Sequence, residues 1–251
     1  MLEIAPVDLI RHDQRRNVPQ PLYALALAVV FQWGVALHDL EVERIAEGKS
    51  SWREKGEMLQ AIWRKGRRQA LKDYALFPLL AGPGAPFTLA GNATANVVRN
   101  VWAFTIIFCG HFPEGTHEFT EEETAGETRG EWYFRQLLGS ANLTGGPLFH
   151  IMSGNLSHQI EHHLFPDLPG HRYAELAVEV REICERYGLP YNSGPLHKQF
   201  GSVVKKIVKL ALPDGDGGER EPDAVAVAPE PEPTAPPRSR SRRAERELVA
   251  A

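Results

Sequence analysis

Four coordinating side chains crowd into six residues of this sequence: His158, Gln159, His162 and His163. They sit in SGNLSHQIEHHLFPDLP, Ser153 to Pro169, with Glu161 between them and Pro166 and Pro169 closing the segment. Each buried imidazole must find a hydrogen-bond partner or stay neutral at a cost, and a metal ion is the simplest common partner. On a helix from Leu156 to Leu164, His158 and His162 share one face at i and i+4, and Gln159 and His163 form the row beside it, about 100° round. Imidazole suits iron, copper and zinc alike, so the donors leave the metal open. The zinc-protease pattern HExxH fails, because Gln159 follows His158 and the acid, Glu161, stands just before His162. A membrane metal-dependent hydrolase is therefore the weakest reading.

The element that must meet this segment is the apolar stretch Phe87 to Gly110. Asn92, Asn96 and Asn100 recur there at every fourth position beside Arg99, which gives one helix face a polar seam. Polar groups at membrane depth normally face a protein interior. The seam thus reads as a pocket lining or as a helix-to-helix hydrogen-bonding surface, and residue types do not choose between them. His111 follows Gly110, eleven residues and about three turns beyond Asn100. It continues the same face as a candidate metal ligand, with Asn100 as a possible ligand or support.

Pro21 to Leu37 is a first apolar run of seventeen residues, at the short limit for a span, which needs about 20. Glu41 to Asp73 is charged and helical, with Arg64, Lys65, Arg67 and Arg68 beside a narrow apolar stripe, and reads as an anionic-interface helix or a solvated one. Pro78, Gly82, Pro83, Gly84 and Pro86 interrupt the next apolar run, as in a broken or re-entrant entry. Phe112 to Gly130 is an acidic connector, and EWYFRQLLGSAN is a short helix leading to the histidine segment. YAELAVEVREICERYGLPY is amphipathic, with Leu176, Val180, Ile183 and Tyr187 on its packing side and Gly188 as its stop. Phe200 to Leu212, carrying Lys205, Lys206 and Lys209, lies at an interface or packs on the domain. From Pro213 the Pro, Glu and Arg composition cannot offset its ordering entropy, so 213–251 is read as a disordered tail.

The net charge of −4 gives no reason to invoke nucleic acid. Two distant cysteines, Cys109 and Cys184, support neither a disulfide framework nor a thiolate zinc site. The N-terminal stretch lacks the apolar core of a secretion signal.

HQIEHHLFPDLP resembles the third histidine box of the membrane fatty acid desaturases, and VRNVWAFTIIFCGHFPEG, WYFRQLLGSAN and MSGNLSHQIEHH resemble bacterial, particularly actinobacterial, members. The likeness runs from about Trp33 to Pro190. It implies an all-α, integral membrane domain with a cytosolic helical cap. The layout is residues 1–212 as the C-terminal part of a desaturase domain, spans near 21–37 and 87–110, the cap over 111–190, and the tail. It also implies two irons facing the cytoplasm, molecular oxygen as co-substrate, an acyl substrate on coenzyme A, a carrier protein or a lipid, and electrons from a ferredoxin or flavin-dependent reductase. By position, Gln159, His162 and His163 match the box and His111 the histidine ending the last span; His158 is an additional neighbour.

The family's two earlier boxes, of HxxxH and HxxHH type, are not found here, and before His111 only His12 and His38 occur. The resemblance therefore implies a partial di-iron site. One reading is a desaturase completed by another chain or an upstream reading frame; the other is a non-catalytic remnant or partner subunit. Topology raises a conflict. Two simple spans bring His111 and the third box to one side, yet they leave Glu41–Asp73, with nine Lys and Arg against six acids, on the opposite side from that expected for basic loops. Either the first run is partly interfacial, or Tyr74 to Gly82 forms a hairpin with the second helix.

Overall fold

The computed structural model describes residues 20–42, 45, 48 and 51–211. His12 and the segment 213–251 expected to be disordered lie outside them.

The first apolar run is broken. Helices α1 (Gln20–Val29) and α2 (Phe31–Asp39) meet at Val30 with a bend of 98°. In a straight helix the Val29 carbonyl would accept from Trp33 N–H. Here Trp33 N–H turns to Val30 O at 2.8 Å, and Val29 O accepts instead from Asn100 Nδ2 at 2.8 Å. Gln32 N–H donates to Asn100 Oδ1 at 3.3 Å. A side chain inserted into the backbone ladder is a recognised cause of a kink, so the single span expected near 21–37 becomes two crossed helices. Among the described residues no single helix is long and apolar enough to cross a membrane, and this bent pair passes only by length and composition.

Helix α3 (Gly56–Leu71) runs through one π-helical turn, Lys72–Leu76, into α4 (Phe77–Leu80), and a 3₁₀ turn over Gly82–Gly84 reverses the chain. Gly82 takes φ +55°, a conformation that favours glycine. Helix α5 (Ala85–His111) then returns antiparallel to α3 and α4. Gln69 donates to Asn96 Oδ1 at 3.1 Å, Asn96 to the Tyr74 hydroxyl at 3.0 Å and Asn92 to Asp73 O at 2.5 Å. The asparagine seam is thus a helix-to-helix hydrogen-bonding surface along its length. The hairpin also carries Arg64, Lys65, Arg67 and Arg68 back toward the His111 end of α5.

Buried residues of α5 concentrate in its second half, from Asn100 to His111, and the cap packs there. It comprises α6 (Glu121–Thr124), α7 (Arg129–Leu138), α8 (Pro147–Met152), α9 (Gln159–Leu164) and α10 (Tyr173–Tyr187). Helix α11 (Leu196–Ala211) lies across α5 and α1 through buried Val203, with Lys206 paired to Glu118 at 2.6 Å. It is a packing helix. The inward side of α10 is Tyr173, Val180 and Cys184, whereas Ile183 and Tyr187 are exposed. The chain after Gly188 covers the same side, with Leu189 and Tyr191 packed against the cluster that Val180 and Cys184 share with Leu137, Ile160 and Leu164.

The described fold is mostly helical, as expected, with one short pair of strands among the described residues. Strands β1 (Asn142–Thr144) and β2 (Ser193–Pro195) pair in parallel, Asn142 opposite Ser193 and Leu143 opposite Gly194. Three-residue strands without alternating hydrophobicity carry no legible period, and tertiary contact creates them. One core cluster joins Ile106, Cys109, Phe112, Leu143 and Val203; another joins Leu137, Ile160, Leu164, Val180 and Cys184 around the histidine helix.

Candidate metal centre

Helix α9 begins at Gln159, not Leu156, and His158 occupies its N-cap with φ −99° and ψ 61°. His158 and His162 are therefore not successive positions of one regular helical face. Gln159, Ile160, Glu161 and Leu164 of α9 are buried. Gln159 lies against Gly110, where any side chain would intrude: a Cβ there would stand 2.9 Å from Gln159 Cγ and 3.2 Å from its Cβ. The glycine at the end of α5 lets the two helices approach.

That approach brings His111 Nε2 to 3.0 Å from His163 Nε2. The other nitrogen of each ring is engaged. His111 Nδ1 lies 2.7 Å from Ile107 O, and His163 Nδ1 lies 2.9 Å from Gln136 Oε1. Both partners are oxygens that accept, so in each neutral ring Nδ1 carries the proton and Nε2 presents a lone pair. Two lone pairs then face each other. Gln159 Nε2 is 3.5 Å from His111 Nε2, and Gln159 Oε1 is buried without a hydrogen-bond partner. His162 sits beside them, its ring 5.8 Å from that of His163, with Nδ1 3.1 Å from the Tyr173 hydroxyl.

Electrostatics favour neutral donors. Burial, with smaller repulsion from His111, His162 and Arg135, pushes His163 down to about 3. Burial lowers His162 as well. Two nitrogens each about 2.1 Å from one ion, at about 90°, would stand about 3.0 Å apart, so the His111–His163 spacing fits a shared cation. Held second nitrogens are also the usual setting of metal-ligating histidines. Among the described residues, however, no three His, Cys, Asp or Glu side chains converge to hold an ion by themselves.

Two candidates lie elsewhere. Asn100 is spent on the α1–α2 break. His158 stacks on His150, ring centroids 4.6 Å apart, with its Nδ1 3.9 Å from Glu161 Oε2 and its Nε2 buried and without a hydrogen-bond partner. Burial and His150 lower it to about 4. His150 itself bonds Ser157 Oγ at 2.7 Å and Gly145 O at 2.9 Å. Gln136, Tyr173 and His150 are neighbours that residue spacing did not reveal. Only His150 and Ser157, seven apart, had a local signal.

Glu161 is fully buried. Burial raises its pKa, opposed by hydrogen bonds from Asn142 and Tyr191.

A helical cap thus presses the His162–His163 segment against the His111 end of a long helix and brings imidazoles from two elements together. The fatty acid desaturase family model matches residues 5–195, and the chain belongs to that family. It is 47% identical over 205 residues to an NADPH-dependent stearoyl-CoA 9-desaturase of Mycobacterium tuberculosis, covering 80% of this chain and 48% of the relative. It is 30% identical over 122 residues to an sn-1 linoleoyl-lipid 6-desaturase of Synechocystis sp., covering 48% of this chain and 34% of that protein. It is also 30% identical over 142 residues to human fatty acid desaturase 3, covering 56% and 30% respectively. The chain thus spans about half the length, or less, of these curated relatives. No solved structure matches it.

Proposed function

We propose that this chain supplies one wall of the di-iron centre of a membrane fatty acyl desaturase. The observation that carries the reading is the opposed pair of Nε2 lone pairs, His111 and His163 at 3.0 Å. Burial resists a proton between them, which leaves a metal cation as the fitting occupant. His111, His163 and His162 would hold iron through Nε2, and Gln159 Oε1 is placed to join them or to accept from a bound water. His158 stands outside this set because of its stacking on His150. On this reading the remaining ligands are those of a polypeptide segment carrying the two earlier histidine boxes. Bound iron supplies the redox chemistry by which dioxygen removes two hydrogens from adjacent carbons of an acyl chain. Overall, two further electrons and two protons complete the reduction of dioxygen to two waters.

This chain's own residues do the positioning. Ile107 O and Gln136 fix the tautomers of His111 and His163, the Tyr173 hydroxyl orients His162, and Gly110 admits Gln159. The 47% identity to a stearoyl-CoA desaturase favours a long-chain acyl-CoA substrate, with NADPH-derived electrons delivered by a ferredoxin or flavin-dependent reductase. The α3–α4/α5 hairpin, with exposed Leu79, Leu80 and Phe87 at its tip, supports entry into a bilayer from one side. Arg64, Lys65, Arg67 and Arg68 then remain cytoplasmic with the histidines.

Co-expression with a polypeptide carrying the two earlier boxes tests the reading. Iron and acyl desaturation are expected to appear together, and His162→Ala to abolish both. Iron-free, inactive complexes would overturn it in favour of a non-catalytic remnant.

A further inference from the structure

Helix α9 is six residues long and carries no side-chain cap of its own. Its rotation must be set from outside, because a side-chain tip about 5–6 Å from the helix axis moves about 1 Å for every 10° of turn. Behind the histidines, Asn142 of β1 supplies that control. Its Oδ1 accepts from Ile160 N–H at 2.9 Å, and its Nδ2 donates to Glu161 Oε2 and to the Tyr191 hydroxyl, both at 2.7 Å. The Tyr191 hydroxyl donates in turn to Glu161 Oε1 at 2.8 Å. Asn142 N–H donates to Asn192 O at 2.9 Å, so β1 is tied to the residue after Tyr191.

The network requires one acceptor and two donors on a short side chain, and asparagine is the residue that offers this set at that length. Glu161 and His163, two positions apart at about 100° each, point to roughly opposite sides of α9. Anchoring the first therefore aims the second.

We propose that Asn142 is the positioning residue of the histidine helix. Through Ile160 N–H and the Glu161–Tyr191 pair it fixes the rotation at which His163 faces His111 and Gln159 lies against Gly110. The metal-affinity consequence rests on the metal-centre reading; the aim of His163 does not.

The test uses the full chain in detergent, with two readouts. In the metal-free protein at neutral pH, ¹⁵N shifts report whether His163 is held as its Nδ1–H tautomer. A Co²⁺ titration reports affinity and the spectrum of the bound ion. Asn142→Asp keeps the acceptor for Ile160 N–H but sets a second carboxylate against Glu161. It is expected to average the His163 tautomers and weaken Co²⁺ by at least about tenfold. Adding Glu161→Gln reverses donor and acceptor, and is expected to restore the tautomer signal and bring affinity back to within about threefold of wild type. Wild-type behaviour in Asn142→Asp, or no recovery in the double variant at retained helicity, overturns the proposal. Should Asn142→Asp fail to fold, Tyr191→Phe, which removes one hydroxyl and keeps the ring, is expected to loosen the His163 signal, and an unchanged signal overturns the proposal. Wild type with a fixed His163 tautomer but no Co²⁺ binding overturns the metal reading instead, and the tautomer signal alone then decides the role of Asn142.

Discussion

His111 and His163, fifty-two residues apart in sequence, meet through their Nε2 atoms at 3.0 Å. Neither ring is free to turn away, since Ile107 O and Gln136 hold the opposite nitrogens.

Gln136→Leu removes the acceptor that keeps the proton on His163 Nδ1. His163 is expected to populate both tautomers by ¹⁵N NMR, and Co²⁺ affinity to fall about 10- to 100-fold. An affinity equal to wild type would show that the Gln136 contact is incidental.

Gly110→Ala places a Cβ within 2.9 Å of Gln159 Cγ. Because the neighbour is the stem of a buried side chain, the helices must separate or Gln159 must swing out. The expected cost is about 1–3 kcal/mol in chemical denaturation, with weaker metal binding. Alanine's better helix propensity would otherwise make the change favourable, so the sign of the stability change is the measurement that matters.

Asn100→Ala takes away the side chain that bonds Val29 O and Gln32 N–H at the helix break. Stability should drop by about 1–3 kcal/mol, while Co²⁺ affinity should stay at the wild-type value. Loss of metal at unchanged stability would return Asn100 to the ligand set.

Helix α7 starts with a capping box, in which the Thr128 hydroxyl accepts from Glu131 N–H and Thr128 N–H donates to the Glu131 carboxylate. Thr128→Ala should cost about 1 kcal/mol. Hydrogen bonds from Thr128 hold the Glu131 carboxyl below its ordinary value of 4.5. The folded state therefore binds its proton less readily than the unfolded chain does. That contribution is present above pH 4.5 and is lost as pH falls through the depressed folded value. The backbone N–H of residue 128 still donates to Glu131 in Thr128→Ala, so only the hydroxyl's share of this pH dependence is lost, and the gap between the two denaturation midpoints should narrow in acid without closing.

The sequence by itself determined the family and the helical character, and it marked His111, Gln159, His162 and His163. Dense imidazoles at 158–163, a histidine ending the apolar stretch at 111 and punctuation by Gly and Pro are all local patterns, and helical periodicity converts local patterns into faces. It did not determine which face looks where. The asparagine row of α5 was equally a pocket lining and a packing seam until Gln69, Asp73 and Tyr74 came alongside it. The run 21–37 was one span until Asn100 bent it. His158 and His162 shared a face only while the helix was taken to begin at Leu156. Tertiary structure decided these points because each depends on a partner dozens of residues away. The β1–β2 pair shows the reason most clearly. Three residues have too little intrinsic preference to form a strand, yet once Asn142 is held against Asn192, Glu161 and Tyr191 it sets the aim of the histidines that the sequence had already marked.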